Sequence, residues 1–103
     1  MLYDPKWEKK TETDQPWQLA LRRAADIIDE RGHAKHTLQA DDGCVCALGA
    51  LLVADHIYGT NEFNPARKRL MAYVGSYISQ WNNAPERTAA EVTQAMRACA
   101  GSQ

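Results

Sequence analysis

A chain of 103 residues with 45% hydrophobic and 24% charged side chains has the composition of one folded globular domain, which excludes global disorder. The formal net charge of −1 leaves no broad basic field and argues against sequence-independent nucleic-acid binding. Three cysteines without a spaced framework suit a reducing cytoplasm, and the first fourteen residues hold no apolar core of a signal peptide.

Residues 1–14 mix lysines with Asp and Glu, show no helical stripe, and read as an extended N-terminal arm anchored through Tyr3 and Trp7. The first helix has Asp14 as its expected cap, Pro16 in its first turn and Gly32 as its stop. Trp17, Leu21, Ala24, Ala25 and Ile28 recur at spacings of three and four and give it one apolar face. A polar loop follows, in which Asp42 is the expected cap of the next helix.

From Cys44 to Ala54 no side chain is charged or strongly polar. Such a run is too short to cross a bilayer, which takes about 20 residues, so it predicts a helix buried at the centre of a bundle and ended by Gly59. Cys46, Gly49, Ala50, Val53 and Ala54 fall on one side of it, where small residues admit close neighbours. Asn64 and Pro65 predict the start of a third helix. Its stripe of Ala66, Leu70, Tyr73, Val74, Tyr77, Ile78 and Trp81 runs through Gly75, read as a close-packing glycine. Thr88-Ala-Ala-Glu91 is a capping box opening a fourth helix, with Val92, Ala95, Met96 and Cys99 inward and Gly101 as its stop. The expected fold is all-α: a compact bundle of about four helices around a central apolar helix, one domain over residues 15–101, with the arm over 1–14.

Several of these residues carry a family likeness. Leu21 with Ala24-Ala25, Arg31-Gly32, Gly43-x-x-Cys46-x-x-Gly49-Ala50-Leu51, and Trp81-Asn82-Asn83 leading to Thr88-x-x-Glu91-Val92 together resemble a small helical family of actinobacteria and their bacteriophages that has no assigned biochemical function. The resemblance covers roughly residues 16–100 and implies fold and origin, without a catalytic residue. This chain has Asn83 where the family pattern has Asp after Trp-Asn.

Chemistry-bearing residues are few. His33-x-x-His36 and Cys44-Val45-Cys46 are ligand types for zinc, but residues two apart on a helix diverge, so no metal and no cofactor is expected. A nucleophilic Cys44 would need a cation or helix terminus to hold its thiolate, whereas Asp41 and Asp42 work against one, so no enzyme is expected. Arg67, Lys68 and Arg69 fall in the first turn of the expected third helix, against its dipole, and mark a candidate surface for an anion or an acidic partner. Tyr3, Trp7, Tyr73 and Tyr77 mark a candidate interface, most simply that of a two-fold homodimer. The expectation is a non-enzymatic protein-interaction module of phage origin, acting in the host cytoplasm on a host or phage protein or on its own copy, away from membranes. The alternative is a small DNA-associated regulator.

Overall fold

A computed structural model describes residues 14–101 of the chain. Tyr3 and Trp7 of the expected arm lie outside them. The described residues form five helices and no strand: α1 (Pro16–Arg31), α2 (Ala47–Tyr58), α3 (Phe63–Val74), α4 (Ile78–Asn82) and α5 (Ala89–Gly101). The fold is compact and all-α, as its periodicity predicts.

The alanine-rich face of α1 sets the arrangement. Ala20, Leu21, Ala24, Ala25, Ile27 and Ile28 are all buried. This helix packs most extensively on α5, then on α2, while α3 closes against all three. Leu21, Ile28, Leu51, Leu70, Val92 and Met96 fill the centre, in one cluster that every helix joins. The buried Gln18 ties both ends of the chain's fold: its Oε1 accepts from the Gln15 N–H, and its Nε2 donates to the Ala100 carbonyl at 2.7 Å. Gln15 therefore holds the cap position expected of Asp14, whose carboxylate instead accepts from Arg22 Nε at 2.9 Å.

The apolar helix α2 is less enclosed than its composition predicts. Ala47, Gly49, Ala50, Leu51 and Ala54 are buried, but Leu52, Ile57 and Tyr58 remain 42–51% exposed. Small residues turn inward beside Leu51 and let α1 approach, Leu48 and Val53 pack at the margin of the core, and Leu52, Ile57 and Tyr58 are left largely outside. Its start also differs from expectation. Cys46 is the cap, its Sγ accepting from the Gly49 N–H at 3.3 Å, and Asp42 accepts from the Cys44 N–H in the preceding turn.

The long third helix is broken. Gly75 adopts a left-handed conformation with φ 80° and caps α3, and a Cβ built there meets nothing within 4 Å. It is a stop and not a contact glycine; an alternative residue would be strained at that φ. Tyr77, extended, then opens the five-residue α4, so Tyr73 and Tyr77 do not share a helix. The capping box of α5 forms as read: Thr88 N–H donates to Glu91 Oε1 at 2.9 Å and Glu91 N–H to Thr88 Oγ1 at 3.2 Å.

The close approach expected at Gly49 is real, but its partner is a loop. A Cβ at Gly49 would stand 1.9 Å from the Leu38 carbonyl oxygen, a backbone atom that also accepts from the Cys46 N–H at 3.2 Å. Gly49→Ala should therefore cost about 3 kcal/mol or more, the upper end for overpacking. The check is a denaturant melt beside Gly101→Ala, where the nearest atom is an Arg22 side-chain nitrogen at 3.9 Å and the change should be nearly neutral.

Candidate functional site

The connection from Gly32 to Cys46 has no helix, yet it is firmly tied. It folds around the fully buried Val45, which donates to the Gly32 carbonyl and accepts from the Ala34 N–H, both at 3.0 Å. Isolated bridges join Val45 to His33 and to Gln39. Gly32, at φ 99°, cannot be replaced without crowding, since a Cβ there would lie 2.8 Å from Cys44 Sγ.

Asn82, at the end of α4, anchors this loop from the other side and is 1% exposed. Its Oδ1 accepts from the Ala47 N–H at 3.0 Å and from His33 Nε2 at 2.7 Å. Its Nδ2 donates to the Ala34 carbonyl at 3.1 Å and to Asn83 Oδ1 at 2.9 Å. Because Oδ1 can only accept, His33 donates in this bond from Nε2. Asn83 Oδ1 also takes the His36 N–H at 2.8 Å, and Lys35 Nζ donates to the Ala84 carbonyl at 2.6 Å. Asn83 is thus used as an acceptor in both bonds, the role an Asp oxygen would fill equally well.

In front of this network lies a pocket of ≈ 350 Å³. Leu38, Leu48 and Ile78 supply apolar walls, with the Cys46 thiol among them. Asn82 and Asn83 line it too, and the exposed Thr37, Ser79 and His36 stand at its edge. His36 is the one non-glycine residue with positive φ, 66°, among the described residues. Such backbone strain costs on the order of 1–3 kcal/mol and is held here by the bond to Asn83. The pocket was not legible from the sequence. Its residues come from three separated segments, of which only Cys46, Leu48, Asn82 and Asn83 fall within the Gly-x-x-Cys-x-x-Gly and Trp-Asn-Asn motifs.

The basic surface is rearranged relative to expectation. The α3 helix begins at Phe63, so Arg67, Lys68 and Arg69 lie past its first turn. Its terminus already holds an anion. The Asp55 carboxylate accepts from the Glu62 N–H at 3.0 Å and the Phe63 N–H at 2.9 Å, as well as from Thr60 Oγ1 at 2.6 Å. Arg69 lies over the Trp17 ring, 4.5 Å from its centroid. Lys68 and Arg69 are exposed, and Arg67 is half-buried. Tyr73 and Tyr77, the described half of the candidate interface, are 49% and 68% exposed.

The cysteines divide by environment. A hydrogen bond from the Cys44 thiol to Asp42, with burial and the carboxylate's charge behind it, pushes that thiol up, away from a reactive thiolate. Burial does the same to Cys99. Among the described residues no three His, Cys, Asp or Glu side chains gather as a metal site, and no helix is long and apolar enough to cross a membrane. His33 and His36 are separated in role: one is bonded to Asn82, the other stands at the pocket edge.

Two substitutions test the network. Asn82→Ala strands the Ala47 N–H, His33 and the Ala34 carbonyl, and should cost about 3 kcal/mol or more; Asn83→Asp keeps the acceptor and should stay within about 0.5 kcal/mol of wild type by chemical denaturation. Asp55→Ala, which uncaps α3, should lower stability by about 1–2 kcal/mol in the same measurement.

Residues 12–102 match DUF6197, a family of unknown function, and the chain belongs to that family. Neither the curated proteins nor the solved structures contain a match to it.

Proposed function

We propose that this protein is a non-enzymatic protein-interaction module that binds a partner through an apolar surface around the α2–α4 pocket. One observation carries the reading: Leu38, which lines the pocket, and Leu52 and Tyr77, which stand one helical turn and one position from the lining residues Leu48 and Ile78, are all 42% exposed or more. Large apolar side chains left in water around a concavity are the usual mark of a partner site. The polar chemistry of the fold is turned to its own support. Among the described residues no buried side-chain nitrogen or oxygen lacks a partner, and neither Cys44 nor Cys99 is activated.

The actinobacterial and phage origin that the motifs imply fits a small protein acting by binding host machinery in the host cytoplasm; this is analogy at the level of class. A homodimer through Tyr73 and Tyr77 is the simplest variant of the same reading. DNA association has less support. Only Lys68 and Arg69 of the basic cluster are exposed, and one of them rests on Trp17.

The test compares the full chain with the double variant Leu52→Glu, Tyr77→Glu. Both positions are exposed, so stability should change by less than about 0.5 kcal/mol at each. Affinity purification from an actinobacterial host should retain a protein with wild type that the variant loses at least tenfold, or light scattering at high micromolar concentration should show a dimer that the variant lacks. A monomer with no partner lost by the variant would overturn the reading. A salt-sensitive DNA shift abolished by Lys68→Glu would move it to the regulator.

A further inference from the structure

The pocket narrows what a partner must present, provided that the surface around it is the protein-binding surface proposed for this chain. Its walls carry no Asp, Glu, Lys or Arg; His36 alone is titratable, apart from the wall thiol, and it stands exposed at the edge. A charged group entering would lose its hydration with no opposite charge to meet it, so the electrostatic complement of this lining is an uncharged group. The space, ≈ 350 Å³, is about twice the ~150 Å³ that takes up a benzene ring. That accommodates one branched or aromatic side chain with the peptide unit bearing it, and not a helix laid lengthwise.

The surroundings agree with a side chain carried on a longer chain. Exposed apolar side chains neighbour the lining residues along the chain: Leu38 itself is half exposed, Leu52 lies one turn beyond Leu48, and Tyr77 precedes Ile78. A free small molecule would leave these in water, whereas a polypeptide passing over the mouth covers them. The edge also offers a passing backbone the Ser79 hydroxyl and, as an acceptor, Thr37 Oγ1, whose proton goes to the Gln39 carbonyl. The left-handed His36 turn, held by Asn83, keeps that edge in place.

We propose that the pocket receives a single bulky, uncharged side chain of the leucine, phenylalanine or tryptophan class, presented by an exposed segment of a partner protein. Ligands as small as one blocked residue bind such a site at about millimolar strength, which amide chemical shifts measure. The full-length ¹⁵N-labelled protein would be titrated with N-acetyl-leucinamide, N-acetyl-tryptophanamide and, as the charged control, the α-amide of N-acetyl-glutamate. Expected are saturable shifts at residues 36–38, 46–48 and 78–83 with the first two probes, at least tenfold weaker with the third. Ser79→Trp places a ring at the exposed edge, large enough to reach across the mouth without replacing a core residue, and should abolish them. A folded spectrum without saturable shifts, equal response to the charged probe, or binding untouched by Ser79→Trp would each overturn the proposal. Should a partner be captured through Leu52 and Tyr77 and survive Ser79→Trp, the interaction reading stands and the pocket assignment falls. Should the probes bind while no partner or dimer depends on Leu52 and Tyr77, the pocket's preference for an uncharged group stands, and its assignment to a partner's side chain falls with the interaction reading.

Discussion

One buried amide holds this fold's least regular part in place. Asn82 sits at 1% exposure with both of its side-chain atoms engaged, receiving the first N–H of α2 and the His33 ring and giving to the Ala34 carbonyl and to Asn83. A buried amide left unbonded would cost several kcal/mol, while each bond made returns only about 1 kcal/mol net. The arrangement is thus stable only when complete. The loop, the start of α2 and the end of α4 must arrive together or not at all.

That requirement explains two features without another cause. A five-residue helix has no stability alone, and α4 exists because Ile78 and Asn82, one turn apart on the same face, are both buried. The Gly32–Cys46 connection is long for a bundle of this size, yet it is fixed by Asn82 on one side and by Val45 within. Gly49 belongs to the same constraint. The loop's Leu38 carbonyl lies where any Cβ would be, so the first turn of α2 and the loop are fitted backbone to backbone.

Local signals were legible wherever they were complete within a few residues. The stripe of α1, the Thr88–Glu91 box and the Gly59 stop are each set by chemistry at neighbouring positions, and each forms as read. Failures came where two local signals competed. The apolar stripe from Ala66 to Trp81 favours one helix, but Gly75 accepts a left-handed conformation at low cost, and burial of Asn82 demands a change of direction that a straight helix cannot make. Asp14 and Asp42 are good caps by type, yet Arg22 and the Cys44 N–H take their carboxylates first. The uncharged run from Cys44 to Ala54 looked buried all round because composition does not say which residues point inward. The candidate site depends on contacts across 35 to 49 positions, which no periodicity encodes.

The same economy bears on recognition. Polar groups that elsewhere would read a ligand are here spent on the chain itself: both amide atoms of Asn82, the Asn83 oxygen, and the Asp55 carboxylate at the start of α3. What remains toward solvent around the pocket is aliphatic and aromatic surface with a few hydroxyls and the His36 ring. Discrimination by such a surface comes from shape and from excluding charge, and a missing methylene in an apolar pocket costs only about 1–3 kcal/mol. On the interaction reading proposed above, selectivity would accumulate over the surrounding exposed side chains, chiefly Leu52 and Tyr77, and a partner would be distinguished by where it places one bulky residue relative to the rest of its chain.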